Sequence, residues 1–141
     1  MKIVILGGTG LIGSALQKSF SKTHQVEVFN RTVFKSAEYL SSIIDGSDFV
    51  IQLAGSTISK RWSQKIIAEM WRSRVNTNQM LSDAIKLITK TPKVICSSGI
   101  SFYAESDCND PKTEDDIQGE GYLTDLNIAV ESAAKSILDD V

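Results

Sequence analysis

Lys2-Ile3-Val4-Ile5-Leu6-Gly7-Gly8-Thr9-Gly10-Leu11-Ile12-Gly13 is the stretch that decides the fold. Its first five residues are a short β-branched run that stops at glycine, the pattern of a strand buried on both faces of a parallel sheet. From Leu11 the apolar residues Leu11, Ile12, Ala15, Leu16 and Phe20 recur at helical spacing, which predicts a helix over about residues 11–21. Between the two lies a glycine loop. A strand, a loop with spaced glycines and a helix, in that order, form the setting in which a backbone cradles a dinucleotide pyrophosphate. Gly7 is expected to let the chain turn out of the strand, and Gly10 to let a phosphate approach the backbone. Gly13 is expected to let the helix lie close to the sheet. Free N–H groups and the dipole at the helix start then attract the phosphate charge. The same pattern also serves a tight turn with no ligand, but three spaced glycines in this setting favour the cradle. The candidate contacts here are Gly7, Gly8, Thr9, Gly10, Leu11, Ile12 and Gly13.

Working outward, strands and helices alternate. Gln25 to Phe29 reads as a second strand, with Val26 and Val28 between polar neighbours. Ala37, Tyr39, Leu40, Ile43 and Ile44 predict a helix that ends at Gly46. Asp48 to Leu53 is a third strand, closed by Ala54-Gly55. From Ser63 to about Thr89, Ile67, Trp71, Val75, Asn78, Leu81, Ile85 and Ile88 step by three or four, one long helical stretch that Pro92 bars from continuing. Lys93 to Ser97 is a fourth strand. Leu126, Ala129, Val130, Ala133, Ala134, Ile137 and Leu138 mark a final helix over 123–138. This alternation implies an α/β fold with right-handed crossovers. The expected architecture is Rossmann-like and three-layered, with a parallel sheet of about four strands in the order 2-1-3-4 flanked by helices. The first helix and the long helix should lie on opposite faces. Between Phe29 and Asp48 there is room for one helix and two loops, so the strand that a full doubly wound half would place there is expected to be missing or vestigial.

Composition narrows the classes. The chain has 141 residues, 42% hydrophobic and 23% charged, ordinary for a globular protein and wrong for collagen-like or disordered chains. That length is read as one domain, residues 1–141. The net charge of -2 advertises no nucleic acid, and no apolar run is long enough for a signal peptide core or membrane span. Cys96 and Cys108, with the single His24, make no metal spacing, so no metal site is expected and a cytoplasmic location is. The segment 105–121 holds seven acids against Lys112; at -6 it leaves the rest of the chain at +4. It also holds Pro111, Gly119 and Gly121, and it reads as a long solvated loop. Lys60, Arg61, Lys65, Arg72 and Arg74 gather with Trp62 near the start of the long helix. This patch is either a solvated face or a seat for an anion.

The spacing of Gly7, Gly10 and Gly13, G-x-x-G-x-x-G, resembles the extended short-chain dehydrogenase/reductase superfamily. Asp48-Phe-Val-Ile-Gln-Leu-Ala-Gly55, Lys60-Arg-Trp62, Ser73-Arg-Val75 and Ser98-Gly-Ile-Ser-Phe-Tyr103 resemble one atypical branch of it, the nucleoside-diphosphate-sugar epimerase-like proteins. Together these segments cover nearly all of the chain. The resemblance implies an NAD(P)-binding domain of an epimerase or reductase, with a dinucleotide and a nucleotide sugar or other carbonyl compound as ligands. At the end of the second strand an acidic residue would favour NAD. Asn30-Arg31 stands there instead. The planar fork of an arginine suits a 2′-phosphate, so NADP(H) is preferred over NAD(H), with Arg31 as discriminator and Asn30 as helper. A plain surface arginine is the alternative. Leu53 with the small Ala54 and Gly55 stands at the carboxyl edge of the sheet, and these are the candidate adenosine contacts, or simply a turn.

The superfamily's chemistry, by that resemblance, uses a Ser or Thr after the fourth strand and a Tyr-x-x-x-Lys pair. The lysine lowers the tyrosine's pKa for proton transfer. Ser98 stands where the serine belongs, or it is a turn serine. No Tyr-x-x-x-Lys occurs. Aligning Glu131 with the acid that follows the motif puts Leu123 and Asn127 at the tyrosine and lysine positions, with Tyr122 one residue away. Family members also carry about 150 further residues, so the chain is expected to be the N-terminal part of a longer protein and to turn over no substrate alone. Three readings follow: a domain of an NADP-dependent epimerase or reductase, a non-catalytic dinucleotide binder or sensor, or a folded fragment without a ligand.

Overall fold

A computed structural model describes residues 1–106 and 109–139 of the chain. The first strand, β1 (Lys2–Leu6), runs into the glycine loop and α1 (Leu11–Phe20). Then come β2 (Gln25–Phe29), a single 3₁₀ turn (Arg31–Val33) and α2 (Ala37–Ile44). They are followed by β3 (Phe49–Gln52) and a helical rod made of α3 (Gln64–Trp71), a π turn (Arg72–Asn76) and α4 (Thr77–Ile85). The fourth strand, β4 (Lys93–Cys96), leads through a 3₁₀ turn (Ile100–Phe102) and the acidic loop to α5 (Tyr122–Asp139). All strand pairs are parallel and the order is β2-β1-β3-β4, as expected. No strand intervenes between β2 and β3: α2 alone makes that crossover.

The β1 side chains alternate between two cores. Val4 and Leu6, with Val50 of β3, pack under Leu40 and Ile44 of α2, Leu81, Ala84 and Ile85 of α4, and Ile137 of α5. Ile3, Ile5 and Ile51 pack on the other face, against Leu16 and Phe20 of α1. The two faces thus carry α1 on one side and α2, α4 and α5 on the other, the arrangement that right-handed crossovers demand. Each fully buried leucine or isoleucine here contributes about 1.5–3 kcal/mol. Met70, Val75, Leu126, Val130 and Ala133 form a third cluster, which seats α5 on the π turn.

The long helix differs from its expected form in two ways. It is interrupted by the π turn, and it stops at Ile85, where Leu87 N–H and Ile88 N–H tighten onto the carbonyls of Ala84 and Ile85. The hydroxyls within the rod account for the π turn. Ser73 Oγ donates to Met70 O at 3.2 Å, and Thr77 Oγ1 approaches the carbonyls of Ser73 at 3.1 Å and Arg74 at 2.9 Å. Side-chain hydroxyls that compete for helical carbonyls loosen the regular ladder. Asn78, the polar member of the stripe, is buried and donates to Val130 O at 3.2 Å, joining α4 to α5. The acidic loop folds back on itself: Tyr103 bridges Gln118, and Gly119 N–H donates to Phe102 O at 2.8 Å. Asp107, Cys108 and residues 140–141 lie outside the described residues.

Candidate dinucleotide site

The register sets the floor of the site. Leu6 pairs with Phe29 and with Gln52, and Gln52 pairs with Cys96. All four carboxyl ends therefore stop at one level, and the four following loops share one edge of the sheet. Open α/β sheets bind ligands there. The loops are stitched together by backbone: Gly7 and Gly8 N–H both donate to Phe29 O, at 2.7 and 3.1 Å, and Leu53 N–H donates to Leu6 O at 2.8 Å.

The glycines divide the labour. Gly7 has φ +76°, and a Cβ on it would lie 2.5 Å from the Ala54 nitrogen, so this position serves both the turn and a close approach to the loop after β3. A Cβ on Gly13 would lie 2.3 Å from Gly8 Cα. The closest approach at Gly13 is that of α1 to the loop that precedes it. Gly8 is buried against the side chains of Val28 and Ile5. At Gly10 the nearest atom to an added Cβ is Gly7 O, 3.7 Å away. This is the one glycine of the loop with room beside it, and a pyrophosphate needs that room. The first bond within α1 is Ser14 N–H to Gly10 O at 2.9 Å, so the amides of Leu11, Ile12 and Gly13 stand free at the helix start. No side chain caps that end. Thr9, Leu11 and Ile12 are exposed around it. The residues present fit a dinucleotide phosphate.

Beyond β2, Asn30 Oδ1 accepts from Thr32 N–H at 2.9 Å and from Thr32 Oγ1 at 2.6 Å. Asn30 thus shapes the turn that throws Arg31 outward. Arg31 lines a cavity of about 310 Å³ together with Ala54, Gly55, Glu69 and Arg72. Its guanidinium is paired to Glu69 at 3.2 Å. The loop after β3 is held by the π turn. Ser73 Oγ accepts from Ser56 N–H at 2.9 Å, and Arg74 Nη2 donates to Ser56 O at 2.8 Å. A Cβ on Gly55 would sit 3.1 Å from Arg74 Cζ, so the guanidinium lies flat on that glycine. Burial pushes the Arg74 pKa below its usual value, opposed by the nearby Tyr122. The buried Gln52 braces the same loop, its Oε1 accepting from Ala54 N–H at 3.0 Å.

The candidate catalytic groups are not brought together. Ser98 is exposed and donates to Glu131 Oε1 at 2.6 Å. Asn127 Nδ2 donates to Gly99 O at 3.2 Å, so the residues standing at and beyond the lysine position tie α5 to the loop after β4. Tyr122 instead donates its hydroxyl to Ile67 O at 2.8 Å and stacks edge-on against Trp62. Burial pushes its phenol pKa up, against the opposing pull of Arg74. A proton-transfer tyrosine needs the reverse shift. Cys96 is pushed up to about 11 by burial, so it stays a thiol near neutrality. Among the described residues no cluster of histidine, cysteine or carboxylate residues could hold a metal ion, and no helix is long and apolar enough to cross a membrane.

Sequence reasoning placed the glycine loop, Arg31 and the Leu53–Gly55 segment at one edge. It missed Glu69, which lies three elements on from Arg31, and the Ser98–Glu131 bond. Glu69 and Arg72 stand three apart on a helix, and that spacing was the legible signal.

Residues 3–125 match the family described as NAD dependent epimerase/dehydratase. Human epimerase family protein SDR39U1 is 30% identical over 115 residues, covering 75% of this chain and 39% of that protein. An epimerase family protein of Staphylococcus aureus (strain MRSA252) is 28% identical over 117 residues, covering 74% of this chain and 39% of that protein. The chain thus spans about two-fifths of the length of these relatives. The crystal structure of the human protein (isoform 2) with NADPH superposes with a TM-score of 0.79 at 25% identity, over 95% of this chain and 48% of that one. A variant of UDP-glucuronic acid 4-epimerase from Bacillus cereus, in complex with a fluorinated UDP-glucuronic acid and NAD, superposes at 0.82 with 19% identity, over 99% of this chain and 52% of that one, a likeness of fold alone. With its glycine loop, its parallel sheet and this match, the chain belongs to the NAD dependent epimerase/dehydratase family.

Proposed function

We propose that this chain is the NADP(H)-binding domain of a cytoplasmic epimerase or reductase of the extended short-chain dehydrogenase/reductase type, acting on a nucleoside-diphosphate sugar or another carbonyl compound. In this reading residues 1–141 are the N-terminal, NAD(P)-binding part of a longer protein. The observation that carries the cofactor reading is Arg31 lining one cavity with Ala54 and Gly55, at the sheet edge that also carries the glycine loop left open at Gly10. NADPH bound to the human relative supports it. The dinucleotide, when bound, supplies hydride transfer. The chain's own part is to hold it. The amides of Leu11, Ile12 and Gly13 receive the pyrophosphate charge. Gly7, Gly8 and Thr9 shape that loop, Leu53, Ala54 and Gly55 flank the adenosine, and Asn30 fixes the turn from which Arg31 meets the 2′-phosphate. Ser98 donates to Glu131 at 2.6 Å and meets a substrate oxygen only after releasing that carboxylate.

The second reading, a dinucleotide binder or sensor without acid–base catalysis, is favoured by one observation. The hydroxyl of Tyr122, the one tyrosine near the missing pair's place on α5, is committed to the Ile67 carbonyl.

Titration with NADPH and NADH tests the cofactor reading. NADPH is expected to bind more tightly by ~1–3 kcal/mol, the size of one charge-assisted contact. Arg31→Ala should remove most of that difference and leave NADH nearly untouched. Equal affinities for the unmutated chain would sink the preference. A hydride-transfer assay on the full-length gene product separates enzyme from sensor.

A further inference from the structure

Glu69 is the one acid among the basic residues that line the Arg31 cavity. It stands in the last turn of α3, three residues before Arg72, and its two carboxylate oxygens serve two arginines. Oε1 is 3.2 Å from Arg31 Nη1, and Oε2 is 3.3 Å from Arg72 Nη2. Both guanidiniums are otherwise exposed. The two arginines come from different elements, one from the turn after β2 and one from the start of the π turn. A single anion between them is what draws their charges to one point. Each guanidinium keeps further N–H donors that the carboxylate does not take.

We propose that Glu69 occupies the seat of the 2′-phosphate and that Arg72 is the second arginine of that seat. This rests on the NADP(H) reading above and adds its specificity determinants. The chemistry of the two anions explains the exchange. A carboxylate and a phosphate monoester both accept guanidinium forks, but the phosphate carries more charge and a third acceptor oxygen. Exposed ion pairs are weak, so Glu69 yields its partners at small cost. While it holds them, both Arg31 and Arg72 are ion-paired at the cavity. When the phosphorylated ribose enters, Glu69 turns to solvent. It therefore acts as a built-in competitor, which lowers affinity for the phosphorylated cofactor and leaves that for the unphosphorylated one alone.

Calorimetric or fluorescence titration of Glu69→Gln, Arg72→Ala and Arg31→Ala with NADPH and NADH decides it. All three side chains are at least one-third exposed, so the variants should keep the fold, which circular dichroism checks. Glu69→Gln is expected to tighten NADPH by ~2–5-fold, the worth of one exposed ion pair, and to change NADH by less than twofold. Arg72→Ala is expected to weaken NADPH by ~3–10-fold with NADH unchanged. If Arg31→Ala removes the NADPH preference while Glu69→Gln leaves or weakens NADPH binding, the Glu69 seat is wrong and the cofactor reading stands. If the unmutated chain shows no preference but Glu69→Gln creates one, the seat is right and the native preference was misjudged. If no variant discriminates between the cofactors, both fall.

Discussion

At the scale of the residue, two glycines three positions apart have opposite jobs. Gly13 faces backbone: an added methyl would lie 2.3 Å from Gly8 Cα, and neither side can give way as a side chain would. Alanine gains about 1 kcal/mol in helix propensity, but overpacking costs about 1–3 kcal/mol and backbone contact puts this case at the upper end. Gly13→Ala is therefore expected to lower the urea midpoint, a net loss of about 2 kcal/mol. Gly10 has φ -82° and ψ -178°, extended backbone that any residue adopts, and it has open space beside it. Gly10→Val should unfold within about 1 kcal/mol of the parent, as an exposed cap position does. It should still weaken NADPH by more than ~10-fold, because the branched side chain fills the space the pyrophosphate needs. Equal loss of stability in both variants would show that the loop acts in folding alone.

At the scale of the element, the π turn between α3 and α4 is the part that builds the site. A regular helix would carry Ser73 and Arg74 round its axis and away from the loop after β3. The bulge turns Ser73 Oγ toward Ser56 and lays the Arg74 guanidinium on Gly55. π bulges recur at functional sites for this reason: one extra residue re-aims the side chains that follow. Ser73→Ala leaves the half-buried Ser56 N–H without its acceptor. The expected cost is about 1–2 kcal/mol in denaturant titration, the penalty for an orphaned donor plus the lost bond. Faster hydrogen exchange at the Ser56 amide should accompany it. A loss below about 0.3 kcal/mol with unchanged exchange would mean that the loop is held by something other than Ser73. On the other side of the sheet edge, α5 is fastened by Asn127 and Glu131, whose bonds to Gly99 and Ser98 hold the loop after β4 where a catalytic helix would present its acid–base pair.

At the scale of the whole molecule, Asp48 is a tie between distant parts of the chain. Its carboxylate accepts from Lys90 Nζ and from Lys2 N–H, each at 2.8 Å, joining the start of β1, the start of β3 and the segment before β4. The Lys90 hydrogen bond first, then that of Lys2, holds its pKa below the usual aspartate value of 3.8. A carboxylate lowered by folding stabilises the fold above its unfolded pKa, and that stability is lost as pH falls through the folded value. Thermal melts should therefore show the difference between parent and Asp48→Asn at neutral pH and a narrowing gap below about pH 4. A gap that stays constant down to pH 2 would show that Asp48 acts through packing and not through charge. The sheet is also unevenly covered. On the α1 side Ile95 of β4 is 53% exposed, while its register partner Ile51 is buried.

The order of the elements, the right-handed crossovers and the strand sequence 2-1-3-4 followed from the amino-acid sequence alone. Hydrophobic period and glycine position are local properties, and sterics give each pattern few outcomes. The short stretch from Phe29 to Asp48 likewise announced that a strand was missing. Gly7, Gly10, Arg31 and Ala54-Gly55 were legible as neighbours at one edge because strands of a parallel sheet all end at the same edge. What only the tertiary structure decided is which polar groups meet. Arg31 and Glu69 are 38 residues apart, Ser98 and Glu131 are 33 apart, and the hydroxyl of Tyr122 finds a carbonyl 55 residues away. Charge and hydrogen-bond pairs fall off within a few ångströms, so they depend on how helices on one face of the sheet are seated, and no periodicity encodes that. The π turn belongs to the same class. Its apolar stripe reads as an unbroken helix, and the extra residue becomes visible only when Ser73 and Thr77 compete for carbonyls in the folded rod.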